Sequence, residues 1–136
     1  MRVARRLLGG LAGLSVAAIM AAMVLAWHQG YRVYILHTGS MIPTLHPGEA
    51  VVDRPVRGPV HRGEIITFRY AYGPDQVVTH RVFSDANGAI KTKGDANPTP
   101  DPWTLRHAQV VGTPVAIVPY GGTDGCRPLD RRRLEV

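Results

Sequence analysis

Cysteine and aromatic side chains are scarce in this chain of 136 residues, and each scarcity excludes certain kinds of site or partner. Cys126 is the single cysteine, which excludes an intramolecular disulfide, a zinc site of paired cysteines and a dithiol redox motif. Aromatic residues make up only 7% of the sequence, whereas a nucleic-acid-binding domain typically interleaves aromatic and basic side chains on one face. We therefore expect no nucleic acid partner. No spacing of histidines or cysteines resembles a zinc site, so we also expect no metal and no cofactor.

Net charge is also small in the middle of the chain. The formal charge of the whole sequence is +6, but residues 1–27 carry three arginines and no acid, and residues 127–136 carry four arginines against two acids. The body between them is close to neutral. The sequence therefore does not indicate a basic binding face inside a folded domain.

The N-terminal segment contains a long apolar run. From Leu7 to Trp27, 21 residues contain no charge, and as a helix at about 1.5 Å per residue they would span about 30 Å, the thickness of the bilayer core. Arg2, Arg5 and Arg6 precede the run, so the positive-inside rule places the N-terminus in the cytoplasm and the body on the far side. A cleaved signal peptide is the alternative, but its apolar core is usually about 7–15 residues long. We favour a retained, single-pass anchor in the cell membrane.

The body is rich in glycine and proline, and its pattern is typical of short strands joined by tight turns. No sustained 3.6-residue apolar period, which would indicate a long helix, appears after Trp27. We predict an all-β fold: a small antiparallel β-sheet domain at 28–120 behind one N-terminal transmembrane helix at 1–27, followed by a polar, mobile tail at 121–136. The alternating or β-branched runs lie at 31–36, 50–53, 64–70, 76–83, 89–92 and 113–118.

Asn87-Gly88, between two of these runs, is a strong signal for a β-hairpin, because a type I′ turn needs positive φ at both central residues. If Ala86 lies opposite Ala89, the register of the hairpin places His80 opposite Asp95. A bulge would shift this pairing by one residue. The turn therefore predicts a histidine beside an acidic loop.

Three short segments carry residues suited to nucleophilic catalysis. Ser40 lies in a turn with a glycine before it and a proline three residues after it, and His80 provides an imidazole, the usual base for a hydroxyl nucleophile near neutral pH. Asp95 and Asp101 lie on the arm that the hairpin folds back toward the histidine. Alone, a loop serine is usually solvated and a strand histidine structural, but together these segments supply a nucleophile, a base and an orienting carboxylate.

The order of these segments resembles type I signal peptidases, the membrane-bound serine enzymes that remove signal peptides. The resemblance covers about residues 1–120 and implies Ser40 as the nucleophile, with Thr38 standing where the family often has serine. Histidine at position 80, where the usual bacterial branch has lysine, makes the chain similar to the endoplasmic-reticulum and archaeal branch, which uses serine, histidine and an acid. The strings that carry the resemblance are TGSMIPTL (38–45), GEIITF (63–68), THRV (79–82) and KGDANPTPD (93–101).

The resemblance and the hairpin register favour different aspartates. In that branch the acid of the triad follows the Lys-Gly-Asp motif by six residues, which corresponds to Asp101, whereas the register favours Asp95 as the neighbour of His80. We favour Asp101, because an aspartate opposite the histidine could instead pair with Arg81 or Lys93. Asp95 is then a supporting residue.

The resemblance implies a serine endopeptidase that removes signal peptides from secreted precursors, with those precursors and the lipid bilayer as its partners. Ser40 would attack the scissile carbonyl and His80 would take its proton, while the Ser40 N–H and the Thr38 hydroxyl would bind the oxyanion. Only twelve residues separate Trp27 from Ser40, so the serine lies within about 40 Å of the outer membrane face.

Two other classes of protein fit parts of the sequence. A non-catalytic, membrane-anchored β domain acting in binding or assembly would not depend on Ser40. A self-cleaving peptidase with a serine–lysine dyad would use Lys91 or Lys93, the two lysines of the chain, as its base. A lysine beside Gly94-Asp95, however, more naturally keeps its charge with a carboxylate as partner.

Overall fold

The computed structural model describes residues 2–70, 76–119 and 127–128, and the chain divides into two compact units, Met1–Tyr31 and Arg32–Val136. The first unit is one helix, α1 (Arg2–His28). Its segment Gly10–His28 has a mean hydropathy of 2.0 and is long and apolar enough to cross a membrane, a property that signal sequences share. The predicted N-terminal apolar helix is therefore confirmed.

The second unit is a curled antiparallel sheet with the strand order β1-β2-β6-β3-β4-β5, and the short β7 pairs with β6. The predicted all-β class is therefore confirmed. One 3₁₀ turn, His107–Gln109, precedes β6. The strands are β1 (Arg32–Ile35), β2 (Ala50–Arg54), β3 (Ile65–Arg69), β4 (Val77–Ala86), β5 (Ala89–Lys93), β6 (Val110–Val118) and β7 (Arg127–Pro128).

Each of the six predicted runs coincides with a strand, but two strands extend three residues beyond the predicted run. Strand β4 continues to Ala86, and β6 begins at Val110, three residues before the predicted run. Within the predicted mobile tail, residues 127–128 form β7. The rest of that tail, including Cys126, lies outside the described residues.

The turn of the β4–β5 hairpin has the predicted geometry. Asn87 has a φ of 55° and Gly88 a φ of 81°, which are the positive values that a type I′ turn requires. The Gly88 N–H donates to Asp85 Oδ1 at 3.0 Å, and Ala86 lies opposite Ala89 as predicted. The local sequence therefore determines this turn.

Farther from the turn, the predicted register of the hairpin is wrong. A β-bulge in the segment 82–84 adds one residue to β4, so that Arg81 lies opposite Lys93. The predicted pair of His80 and Asp95 therefore does not form. Instead the Arg81 side chain binds Asp95 through two hydrogen bonds, Nε to Oδ1 at 2.8 Å and Nη2 to Oδ2 at 2.7 Å.

Strand β3 lies inside the sheet and is buried on both of its faces. Successive side chains of a strand point to opposite faces, so Ile65 and Ile66 enter different apolar clusters. Ile65 packs with Met41 and Leu45, which flank the turn after Ser40. Burial of each such side chain contributes about 1.5–3 kcal/mol. The core therefore holds the serine-bearing turn against the sheet.

Strand β2 buries a carboxyl group without a hydrogen-bond partner. Asp53 is 1% exposed, and neither of its carboxylate oxygens accepts a hydrogen bond within the described part of the chain. Burial raises the pKa of Asp53 to about 6, and the neighbouring Thr67 hydroxyl offsets this only in part. The Thr67 hydroxyl also forms a hydrogen bond with the Thr79 hydroxyl, with 2.9 Å between the two oxygens. Gly112 permits the close packing, since a Cβ there would lie 2.9 Å from the Asp53 Cβ.

Candidate active site

Ser40 lies in a compact turn between β1 and β2. The backbone N–H groups of Thr44 and Leu45 both donate to the Met41 carbonyl at 2.9 Å, which closes the turn on itself. The Ser40 carbonyl accepts a hydrogen bond from the Ala96 N–H at 2.9 Å. The turn is therefore fixed on one side by its buried apolar residues and on the other by the loop that follows β5.

His80 lies on β4 with its ring 7% exposed, and it packs edge-on against Phe68 with 6.3 Å between the ring centroids. Its Nε2 is 3.0 Å from Ser40 Oγ, and its Nδ1 is 2.6 Å from Asp101 Oδ2. A carboxylate only accepts hydrogen bonds, so Nδ1 donates to Asp101 and Nε2 is left to accept from the serine hydroxyl. This is the tautomer that a general base needs.

Asp101 is buried at 6% exposure and is positioned by the end of β5. Its backbone N–H donates to the Thr92 carbonyl at 2.8 Å, and its Oδ2 accepts from Thr92 Oγ1 at 2.7 Å. Trp103 Nε1 donates in turn to Thr92 Oγ1 at 3.3 Å. A chain of hydrogen bonds therefore runs from Trp103 through Thr92, Asp101 and His80 to Ser40.

Thr92 and Trp103 are not among the site residues that the sequence predicts. The sequence predicts that Thr92 lies on the second arm of the hairpin, but it does not predict which residue lies opposite. The bulge determines this pairing, and Thr92 lies opposite Val82. No motif marks Trp103, which reaches Thr92 because the chain turns back after Asp101. Side chains that support a site in this way depend on packing between segments rather than on local sequence.

Asp95 lies in a different environment from Asp101. Besides its two hydrogen bonds from Arg81, its Oδ2 accepts from Thr44 Oγ1 at 2.6 Å. Burial alone would raise the pKa of Asp95, but these hydrogen bonds and the charges of Arg81 and Lys93 outweigh it and lower that pKa below its usual value. Asp95 therefore links the loop after β5 to the Ser40 turn, and its partner is Arg81 rather than His80.

Gly94 is a point of close approach between these two segments. A Cβ at this position would lie 2.6 Å from the Ser40 carbonyl oxygen and 2.8 Å from Asn97 Nδ2, and the first of these contacts is with backbone. No side chain fits there without displacing the turn. Position 94 therefore requires glycine for steric reasons.

The remaining predicted candidates divide into two groups. The hydroxyl oxygen of Thr38 is 3.2 Å from Ser40 Oγ, so the structure brings Thr38 to the serine. Lys91 Nζ instead donates to the Trp103 carbonyl at 2.9 Å, and Lys93 lines a neighbouring pocket. Within the described ranges, no group of three histidine, cysteine or acidic side chains is arranged to hold a metal ion.

This arrangement is suited to activation of a serine hydroxyl. An imidazole that accepts from the hydroxyl and donates to a buried carboxylate can take a proton at one nitrogen and be stabilised at the other. A serine activated in this way can attack a carbonyl group.

Comparison with known proteins agrees with this chemistry. The profile of the family described as "Signal peptidase, peptidase S26" matches residues 10–96, which are 87 of the 136 residues. The matched segment contains Ser40, His80 and Asp95 and ends five residues before Asp101. A search of curated proteins finds no match. Because the family match covers more than half of the chain, the protein belongs to the S26 family of signal peptidases, which are serine peptidases.

Proposed function

We propose that this protein is a membrane-anchored serine endopeptidase that removes signal peptides from secretory precursors, with Ser40, His80 and Asp101 as its catalytic residues. The observation that carries the proposal is the pair of contacts made by His80, at 3.0 Å to Ser40 Oγ and at 2.6 Å to Asp101 Oδ2. The hydroxyl and both ring nitrogens are engaged in the order that the reaction requires.

In the proposed reaction, the Ser40 hydroxyl attacks the carbonyl carbon of the scissile peptide bond while His80 Nε2 takes its proton. Asp101 orients the ring and stabilises the imidazolium that forms. The Ser40 backbone N–H and the Thr38 hydroxyl bind the oxyanion, and loss of one such donor typically lowers the rate by about 10²–10³. His80 then protonates the leaving amine, and water releases the signal peptide from the acyl-enzyme on Ser40.

The proposed use of histidine is similar to that of the endoplasmic-reticulum and archaeal branch of the family, and it supports our assignment of the protein to that branch. A lysine base is disfavoured by the contacts of the two lysines: the Lys91 ammonium is bonded to the Trp103 carbonyl, and the Lys93 charge acts on Asp95. Neither lysine hydrogen-bonds Ser40 within the described part of the chain, whereas His80 does.

The proposed organisation follows the charge pattern and the apolar helix. Residues 1–27 form a cytoplasmic stub and a retained anchor in the cell membrane, residues 28–120 form the catalytic domain outside the cytoplasm, and residues 121–136 form a basic tail. The substrates are themselves inserted in the bilayer by their apolar segments, so a short tether brings enzyme and cleavage site to the same surface.

The test is cleavage of a secretory precursor by the purified full-length protein in lipid vesicles. We expect Ser40→Ala and His80→Gln each to lower the rate at least about 10³-fold with an unchanged melting temperature. Ser84→Ala, in β4 but outside the site, is the matched control and should cleave like wild type. If the Ser40→Ala protein cleaved the precursor at the wild-type rate, Ser40 would not be the nucleophile. If the wild-type protein itself cleaved no precursor, the non-catalytic alternative would replace this proposal.

A further inference from the structure

A pocket of about 560 Å³ opens beside the candidate active site and takes no part in the reaction described above. One side is formed by Pro43 and Thr44, which belong to the turn that carries Ser40. Another is formed by Gly94 and Asp95, from the loop that binds the Ser40 carbonyl through Ala96. The pocket therefore begins only a few residues from the serine.

The lining of the pocket has an excess of positive charge. Arg81 is balanced by Asp95, to which it is joined by a two-point salt bridge. Arg62 and Lys93 also line the pocket, and neither forms a salt bridge within the described ranges. The guanidinium carbon of Arg62 lies 5.7 Å from the centre of the Phe83 ring, which holds this charge over the pocket wall.

Such a pocket suits a carboxylate on a short side chain. The bulged residue Phe83 and Val82 contribute apolar surface to the wall, so an entering side chain would lose some water and feel the two cations more strongly than at an open surface. A basic side chain would be repelled by the same cations. Charge complementarity therefore selects an acidic occupant.

The composition of signal peptides identifies which part of a precursor can supply that acid. Signal peptides have a basic N-terminal region, an apolar core and small residues before the cleavage site, and none of these regions is acidic. An acidic residue near the scissile bond therefore belongs to the segment that follows it. An extended chain advances about 3.3 Å per residue, so the first four residues of that segment remain close to Ser40.

We infer that this pocket binds an acidic side chain among the first four residues after the cleavage site, and that Arg62 and Lys93 determine this preference. The inference rests on the proposed function, because it assigns the pocket to the substrate of that same serine. It adds a selectivity for the mature segment of the precursor, which the proposed catalytic residues do not themselves provide.

The experiment compares pairs of precursors that differ only by Asp or Asn at one of the four positions after the cleavage site. The full-length protein in phosphatidylcholine vesicles is assayed for kcat/KM at low and high salt. We expect the Asp precursor to be cleaved about five to ten times more efficiently than the Asn precursor at one of these positions, with a smaller ratio at high salt.

Variants of the two cations test which residues produce the preference. The double variant R62Q/K93Q should bring the ratio close to 1, and Lys93→Glu should bring it below 1. Arg57→Gln removes the same charge from an exposed position outside the pocket and should keep the wild-type ratio. Because both precursors meet the same enzyme, a general loss of folding cannot imitate a change of ratio.

Two outcomes would overturn the inference: a wild-type ratio near 1 at all four positions, or an unchanged ratio in the double variant. If both precursors are cleaved equally and the cleavage depends on Ser40, only the assignment of the pocket fails. If neither precursor is cleaved in a Ser40-dependent way, the proposed function itself fails. The two failures are therefore distinguishable.

Discussion

Asp101 and Asp53 are both buried in the sheet domain, but their surroundings differ. Asp101 lies near the start of β4 and the end of β5, and its Oδ2 accepts hydrogen bonds from His80 and Thr92. Asp53 lies on β2, where within the described residues its oxygens accept no well-formed hydrogen bond; burial raises its pKa to about 6, and the nearby Thr67 hydroxyl offsets this only in part. Burial of a carboxyl group is therefore compatible with opposite surroundings in one small domain, and the donors converge on the carboxyl group beside Ser40.

The largest expected effect comes from replacing Asp101, the carboxylate that accepts hydrogen bonds from His80 and Thr92. In Asp101→Asn, an uncharged amide replaces the group that orients His80, so we expect kcat to fall by about 10²–10⁴. The side chain keeps its size, so the melting temperature should change little. Asp85→Asn, at the exposed hairpin, is the control for loss of one carboxylate and should keep its activity. A wild-type rate in Asp101→Asn would show that this carboxylate has no part in the reaction.

The second effect concerns Asp53, whose replacement should raise the stability of the protein at neutral pH rather than lower a rate. The folded pKa of Asp53 is about 6, above its ordinary value, so the folded state binds more protons than the unfolded state between about pH 4 and 6. Stability is therefore lost as the pH rises through this interval, by about 3 kcal/mol in total. We expect Asp53→Asn to be more stable than wild type at pH 7.5, with the difference shrinking toward pH 4. Unfolding at a series of pH values measures this, and parallel profiles would contradict it.

A smaller effect is expected at Asp95, which accepts hydrogen bonds from the Arg81 guanidinium and the Thr44 hydroxyl. Its folded pKa is lowered, so its contribution to stability is present above the ordinary pKa of an aspartate and is lost as the pH falls through the folded value. Asp95→Asn leaves Arg81 without its salt bridge and should lower the stability at pH 7 by about 1–3 kcal/mol. The difference from wild type should vanish in acid. A rate loss as large as that of Asp101→Asn would reverse the roles of the two aspartates.

The smallest expected effect sharpens the comparison at Asp101 itself. Thr92→Val keeps the shape of the side chain but removes the hydroxyl that donates to Asp101 Oδ2. We expect kcat to fall about tenfold, as is typical for loss of one hydrogen bond to a charged group. Thr113→Val in β6 is the matched control. Equal rates in the two variants would show that the Thr92 hydroxyl does not help to position Asp101.

The sequence predicts the strands and the first turn of the hairpin because these depend on local chemistry. Alternating β-branched residues define one face of a strand, and Asn87-Gly88 supplies the positive φ values that the turn needs. The bulge in 82–84 has no such local signal, since this segment contains no glycine. This single extra residue is the reason that the predicted partner of His80 on the hairpin was wrong.

In the candidate site too, some features can be predicted from the sequence, and others depend on how distant segments pack together. The resemblance to a family identifies Ser40, His80 and Asp101 as a set, and the structure brings their side chains within hydrogen-bonding distance. The contact of Thr92 with Asp101 depends on where the chain returns after its prolines, which no local pattern specifies. The burial of Asp53 likewise depends on the absence of a side chain at Gly112, on a strand distant in sequence.

The bond between the Ala96 N–H and the Ser40 carbonyl joins two loops that lie 56 residues apart in the chain. It uses main-chain atoms only, so any amino acid except proline can occupy position 96 and preserve it. Substitutions in the loop after β5 can therefore change the preference among substrates. The position of Ser40 relative to this loop is maintained by the main-chain hydrogen bond.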